Sequence, residues 1–260
     1  LFQMAPSKAP GVDGFTAGFY QCHWDLLGND VITAAVLDFL NGGELPSGLN
    51  DTSITLIPKV RHPQSISQYR PIALCPVLYK IAAKAITNRL RCFMDEVISE
   101  EQSAFVPGRL ITDNVLVAYE SVHTMRRRKK GKNYSCAVKL DTMKAYDRVE
   151  WHYLEAILVR LGFCMSFVRL IMKCVSSVRF SVRVNGELLP YFTPSRGFRQ
   201  GDPVSPFLFL LCAEGFSSLL KYYSGVTIDR GLRVSYRSAW VTHLLFADDS
   251  LIFINASNPS

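Results

Sequence analysis

Apolar positions along the chain follow two periods, close to two and close to four, with Pro, Gly and Asn punctuating the changes between them. Residues 1–50 open on a turn-rich stretch, Pro10-Gly11-Val12-Asp13-Gly14, and continue into a helical pattern from Asp30 to Leu40 that Asn41-Gly42-Gly43 closes. Ser53-Ile54-Thr55-Leu56-Ile57 reads as a strand stopped by Pro58. After Tyr69-Arg70-Pro71-Ile72, the spacing predicts a helix from Leu78 to Val97, and a second from Asn114 to Met125 that ends in a basic run.

Cys136-Ala137-Val138-Lys139-Leu140 predicts a short strand ending at Asp141, and a helix follows with Val149, Tyr153, Ile157 and Leu161 on one face before Gly162. Arg179 to Val184 and Glu187 to Phe192 flank Asn185-Gly186, a strong hairpin signal because both residues accept the positive φ that a tight turn needs. Asp202 and Pro203 are expected as N-cap and first-turn proline of a nearly all-apolar helix through Leu220. Two further apolar runs, His243 to Phe246 and Leu251 to Ile254, bracket Asp248-Asp249 as a final hairpin.

Composition narrows the class. With 260 residues, 48% apolar and 20% charged, the chain can bury a sizeable core, which excludes disordered, collagen-like and coiled-coil chains. The densest apolar run, Pro206 to Ala213, is ended by Glu214, short of a membrane span, and a soluble protein is expected. The first residue is Leu1 and no basic-then-apolar leader follows, so a fragment is expected rather than a processed secretory product. Seven cysteines, odd in number and without a C-x-x-C pair, predict reduced core thiols and an intracellular, reducing compartment.

The net charge of +7 is local. Arg126, Arg127, Arg128, Lys129, Lys130 and Lys132 crowd one short segment, and without those six the 29 basic residues fall to 23 against 22 acidic. The run is either a solvated loop tip or a phosphate-contacting loop.

Two adjacent carboxylates at the tip of an apolar hairpin repel each other. Asp248-Asp249 is either a plain acidic turn or part of a site. Asp141 bears on the choice, because it too ends an apolar strand; paired in one sheet, the three carboxylates could converge. Hard oxygen ligands without nearby His or Cys suit Mg²⁺, which keeps waters and is completed by substrate phosphates. Phosphoryl chemistry is the natural task, in a two-ion form that activates a hydroxyl and stabilises a leaving pyrophosphate. Lys59 and Arg70 then become candidates for a triphosphate.

These residues resemble the reverse transcriptase domain of LINE-type non-LTR retrotransposons, in particular the plant kind, with group II intron maturases as more distant relatives. The resemblance runs over nearly the whole chain: Lys8-Ala9-Pro10-Gly11-Val12-Asp13-Gly14-Phe15, Leu56-Ile57-Pro58-Lys59, Tyr69-Arg70-Pro71-Ile72, and Gln102-Ser103-Ala104-Phe105-Val106-Pro107-Gly108-Arg109 with Asp113-Asn114. Lys139-Leu140-Asp141 with Lys144-Ala145-Tyr146-Asp147, Arg199-Gln200-Gly201-Asp202-Pro203 with Ser205-Pro206, and Phe246-Ala247-Asp248-Asp249 resemble the three palm motifs in order. Val12 replaces a commoner proline, and Thr142-Met143 a commoner Met-Ser; neither touches a functional group.

The resemblance implies a mixed α/β fold of right-hand polymerase type. Fingers would occupy 1–132 and the palm 133–260, interleaved around 163–200, with a small antiparallel palm sheet backed by helices. The thumb and endonuclease are expected to be missing. Asp141 and Asp248 would be the principal ligands of two Mg²⁺ or Mn²⁺ ions, with Asp249 in support. Tyr146 would be an aromatic gate against a ribose 2′-hydroxyl, and Gln200 and Gly201 would lie against the nascent pair and incoming nucleotide. Lys59 and Arg70 would contact the triphosphate. Arg109 and Asn114 would contact the template, with Arg126, Arg127 and Arg128 on phosphates. The implied partners are an RNA template, a DNA primer and a deoxynucleoside triphosphate, with no membrane, and the implied compartment is the nucleus. The alternative is a truncated or domesticated copy that binds RNA and polymerises nothing.

Overall fold

The computed structural model describes residues 1–127, 134–226 and 231–256. In chain order the elements are α1 (Ala17–Cys22), α2 (Trp24–Leu27), α3 (Ala34–Leu40), β1 (Asp51–Pro58), β2 (Tyr69–Leu74), α4 (Val77–Val97), α5 (Ile111–Arg127), β3 (Tyr134–Asp141), α6 (Trp151–Arg160), α7 (Met165–Ser176), β4 (Arg179–Val184), β5 (Glu187–Leu188), α8 (Ser205–Val226), β6 (Leu232–Arg233), β7 (Trp240–Val241), β8 (His243–Phe246) and β9 (Asp249–Ala256). A π-helical turn, Gly28–Thr33, joins α2 to α3. The chain forms two units, one of Leu1–Arg89 with Tyr146–Ser205 and one of Leu90–Ala145 with Pro206–Ser260.

The first unit is built on a four-stranded sheet in the order β2-β1-β4-β5. β1 and β2 pair antiparallel from Ser53↔Leu74 to Pro58↔Tyr69, as an apolar strand stopped by proline should pair with its neighbour in sequence. β4 joins the other edge of β1 in parallel, Asp51↔Arg179 through Ile54↔Val182, a pairing between distant segments that local pattern does not reveal. It is stapled at its first rung: the Arg179 Nε and Nη2 donate to the two oxygens of Asp51 at 2.8 and 2.6 Å. The β4–β5 turn has Asn185 at φ +50° and Gly186 at +91°, the mirror-image turn that Asn-Gly favours.

This unit differs from the sequence expectation in several places: the helix expected from Asp30 is a π-helical turn until Thr33, the strand expected from Glu187 to Phe192 is only Glu187–Leu188, and the faces of α6 are shifted. The buried stripe of α6 is Leu154 and Leu158, while Tyr153 is exposed and Ile157 half-buried, a slip of one residue. The cause is α7, which the pattern reading omits. Val168, Ile171 and Cys174 on α7 are also fully buried, and a helix with a packing partner turns its best aliphatic stripe to the core.

The second unit carries a three-stranded antiparallel sheet in the order β3-β9-β8. Its core is Leu232, Leu244 and Phe253, with Ala118 and Met125 of α5 and Ala137 of β3 packed against them. α5 thus backs the sheet. This is the small antiparallel sheet and helix support of the expected mixed α/β architecture.

Helix α8 begins at Ser205, so Asp202 lies before its cap position rather than at it. Its Oδ1 accepts the Val204 N–H at 3.1 Å, and the rest of its carboxylate is spent elsewhere. Leu208, Leu210 and Leu211 of α8 are buried, as its apolar run requires. The cysteines depart from the expectation of core thiols. None forms a disulfide, but only Cys75, Cys174 and Cys212 are buried; Cys22, Cys92, Cys136 and Cys164 are exposed. Strand alternation explains one case, since Ala137 faces the core and Cys136 therefore faces out. Among the described residues no helix is long and apolar enough to cross a membrane.

Candidate active site

The acidic hairpin forms because two apolar arms pair around a two-residue loop. β8 and β9 run from His243↔Ile252 to Phe246↔Asp249, leaving Ala247 and Asp248 as the turn. β9 pairs in turn with β3 along its whole length, and the last rung is Asp141↔Asp249. The strand end and the hairpin tip therefore meet, with two carboxylates directly opposed and the third in the adjacent turn. Directly opposed residues in such a ladder have Cβ atoms about 4.5–5.5 Å apart. All three side chains are exposed, so water relieves much of their mutual repulsion.

Lys139 relieves more of it. Its Nζ lies 3.0 Å from Asp249 Oδ1. The ammonium's pKa is raised first by its bond to Asp249, then by the charge of that carboxylate, and further by Asp141 and Asp248. A cation at this place thus feels all three acids. Among the described residues no three carboxylate, imidazole or thiol groups converge into a metal cage. The donor set fits Mg²⁺ nonetheless, because that ion is commonly held by one or two carboxylates and completed by water and substrate phosphates.

The turn itself is strained. Ala247 has φ +53°, a left-handed conformation that costs a residue with a Cβ about 1–2 kcal/mol. Segment 101–103 lies along β8 and holds it: Leu245 N–H donates to Glu101 O at 2.8 Å and Ser103 N–H to Leu245 O at 3.3 Å. Gln102, 1% exposed, reaches one step further, its Oε1 accepting the Ala247 N–H at 3.0 Å. The sequence places Gln102 within a motif and gives it no role. Its signal was weak, a polar residue in a loop between two helices.

Asn114, expected on the template, donates from Nδ2 to Glu101 O at 3.0 Å and Leu245 O at 2.8 Å, tying α5 to the same segment. Arg109 is also occupied by its own fold. It pairs with Asp95 at 2.8 Å and donates to the carbonyls of Ile98, Ser99 and Gln102, gathering the chain just beyond the end of α4. Arg126 and Arg127 are exposed in the last turn of α5, where cations also suit the helix dipole. Arg128 lies outside the described residues.

The first unit holds the remaining candidates. Tyr146 sits half-buried on a 3₁₀ turn, its carbonyl accepting the Phe198 N–H at 2.9 Å and its ring edge-on to Phe198. That contact brings Tyr146 close to the loop carrying Gln200 and Gly201. Gln200 lines a cavity of about 280 Å³ with Asp147, Phe198 and Ala73, and its carbonyl accepts the Ala73 N–H of β2 at 2.8 Å. Gly201 has φ +114°, and a Cβ there would stand 3.0 Å from Ala73 O, so this backbone approach requires glycine.

The loop is clamped from below by Arg199 and Asp202, both buried, at 2.6 Å. Arg199 also lies 4.0 Å over the Tyr79 ring, and Tyr79 Oη donates to Asp202 Oδ2 at 2.8 Å. Burial opposes the guanidinium's charge, but Tyr79 and Asp202 outweigh it and hold its pKa up. No local pattern in the sequence announces this clamp. Lys59 and Arg70 are exposed on the β1–β2 hairpin. Ile57 faces Arg70, and Lys59 N–H donates to Gln68 O at 2.7 Å, so the continued register sets Lys59 and Arg70 diagonally on one face. Lys59 Nζ donates to Ser67 O at 3.1 Å.

Residues 57–259 match the family model described as reverse transcriptase (RNA-dependent DNA polymerase). The chain is 38% identical over 222 residues to an uncharacterized 149 kDa protein of transposon TX1 from Xenopus laevis, covering 84% of this chain and 16% of that protein. It is 30% identical over 256 residues to a retrovirus-related Pol polyprotein from the type-1 retrotransposable element R2 of Popillia japonica, 94% of this chain and 32% of that protein. A 67-residue stretch is 49% identical to an uncharacterized mitochondrial protein of Arabidopsis thaliana, 26% of this chain and 55% of that one. The chain thus spans about a sixth and a third of the length of the first two relatives.

Proposed function

Because this chain belongs to the reverse transcriptase (RNA-dependent DNA polymerase) family, we propose that it is the fingers-and-palm portion of a non-LTR retrotransposon polymerase that extends a DNA primer on an RNA template. The primer 3′-hydroxyl gives up its proton to solvent as its oxygen bonds to the α-phosphorus of a deoxynucleoside triphosphate, and the bond from that phosphorus to the α–β bridging oxygen breaks, releasing pyrophosphate. The observation that carries the reading is the Asp141↔Asp249 rung beside the Asp248 turn.

The family generally uses divalent metal ions. Two Mg²⁺ or Mn²⁺ ions, held by Asp141 and Asp248 with Asp249 in support, would lower the pKa of the attacking hydroxyl and neutralise charge on the departing pyrophosphate. The carboxylates fix where positive charge accumulates, and strand pairing preorganises them before substrate arrives. Lys59 and Arg70 bind the triphosphate by charge. Tyr146 discriminates against a ribose 2′-hydroxyl, and Gln200 and Gly201 meet the nascent base pair through closely approaching backbone. Arg126, Arg127 and Arg128 contact template phosphates. Arg109 and Asn114 act on the template indirectly, through the loops they fasten.

The element is of the plant kind in this reading, which the Arabidopsis stretch supports and the animal relatives do not. The chain works in the nucleus. Primer extension on an RNA template with the four deoxynucleotides, wild type beside Asp248→Ala, tests the proposal. Incorporation lost in the variant is expected; equal incorporation by both would remove the catalytic reading and leave an RNA-binding copy.

A further inference from the structure

We propose that Gln102 is a positioning residue for the Asp248–Asp249 turn, its buried carboxamide setting the backbone of Ala247 from which both acids are presented. The inference rests on the reading of that turn as the catalytic centre.

Burying a carboxamide is costly unless its polar atoms are used, and here they are used on one target beyond the residue's own loop. Oε1 accepts the Ala104 N–H at 3.0 Å, which fixes the side chain on its loop, and the Ala247 N–H at 3.0 Å. Nε2 faces the Ala247 carbonyl at 3.5 Å. Both backbone groups of the single strained residue in the hairpin tip therefore look at one side chain. Backbone pairing between this segment and β8 ends at Leu245, so from this segment a side chain must reach the turn beyond the Phe246↔Asp249 rung.

Length and chemistry select the residue. Asparagine is one methylene short of Ala247 from the same backbone, and leucine offers no acceptor. Glutamate keeps the acceptor oxygen at the same reach. The strap that carries Gln102 is itself pinned to β8 by Asn114, so its side chain works from a fixed base.

A buried glutamine with a merely structural role would lower stability when replaced and leave the turn's local exchange and the turnover per folded molecule unchanged. The test compares wild type, Gln102→Asn, Gln102→Ala and Gln102→Glu in this chain. Hydrogen exchange of the Ala247 amide is expected to quicken by at least about fivefold in the Asn and Ala variants, the factor corresponding to one net hydrogen bond, and to stay slow in Glu. Primer extension corrected for folded fraction is expected to lose kcat by about a hundredfold, since misplacement near 1 Å costs that much. The KM for deoxynucleotide should stay close to wild type, and Gln102→Glu should recover part of kcat. If Gln102→Ala fails to fold, the Asn variant decides. Unchanged Ala247 exchange in the Asn variant, or a kcat that falls only with the folded fraction, would overturn the proposal. If wild type and Asp248→Ala incorporate equally, the polymerase reading has failed, and the Ala247 exchange alone decides whether Gln102 holds the turn.

Discussion

The ammonium of Lys139 stands 3.0 Å from the carboxylate of Asp249, two residues before Asp141 on the strand that pairs with it. Both groups are open to water, so the contact contributes little to stability. Its place gives it another consequence: a divalent cation drawn to the acids must compete with this ammonium. Lys139→Gln should leave the melting temperature unchanged and lower the Mg²⁺ concentration for half-maximal primer extension. Mn²⁺ binding, followed by the loss of its free-ion paramagnetic resonance signal, should tighten. Weaker Mn²⁺ binding in the variant would mean that Lys139 organises the acids rather than competes for them.

The Arg199–Asp202 pair makes a sharper demand on stability, because both partners are buried. Removing one partner leaves a buried charge without its counterion. Arg199→Met should cost about 3–5 kcal/mol in urea unfolding. The double variant Arg199→Met with Asp202→Leu should recover much of that loss, since no buried charge remains. A double variant as unstable as the sum of its singles would show that the two side chains act separately.

The meeting of Asp141 with the Asp248-Asp249 turn was legible because its signals are local. Apolar arms around Asp248-Asp249 announce a hairpin, a strand ending in Asp141 announces a partner, and the motif order joins them. Segments that meet only in three dimensions gave less. The β1–β4 pairing joins residues more than a hundred positions apart, and nothing in Asp51 or Arg179 alone points to the other. The α6 stripe is one residue off the sequence expectation because its packing partner α7 decides which face is buried. Gln102 and Arg199 share another reason. A polar residue in a motif invites a ligand, yet each has its hydrogen-bonding groups turned to its own chain, which only coordinates reveal.

Gly201 carries two constraints that can be separated. Its φ of +114° disfavours any side chain, and a Cβ would also press on Ala73 O at 3.0 Å. Gly162, at φ +88°, has open space where its Cβ would be. Gly201→Ala should therefore destabilise by about 1–3 kcal/mol and more than Gly162→Ala does. It should also raise the KM for deoxynucleotide, because Gln200 shares the displaced backbone. Equal losses in the two variants, with KM unchanged, would show that the Ala73 contact yields without cost.

His243 opens β8 and ties the hairpin to a buried polar chain. Its Nε2 is 2.7 Å from Ser217 Oγ, which is 2.8 Å from Ser99 Oγ, whose hydroxyl donates to Glu214 at 2.8 Å; Thr242 Oγ1 meets Nδ1 at 2.8 Å. Burial pushes its pKa below the ordinary 6.5, Glu101 opposing the shift and Lys221 adding to it. A histidine held neutral in the fold binds its proton more readily when unfolded, so its stabilisation is complete above the unfolded pKa and is lost as pH falls below about 6.5 toward the folded value. Glu101, whose carboxyl is shifted below 4.5, loses its own contribution only in more acid solution. Unfolding free energies measured in urea should thus decline from pH 7.5 to 5 in wild type. His243→Gln keeps a hydrogen-bonding side chain without the titration and should flatten that decline; a slope of the same size in the variant would assign it to other groups.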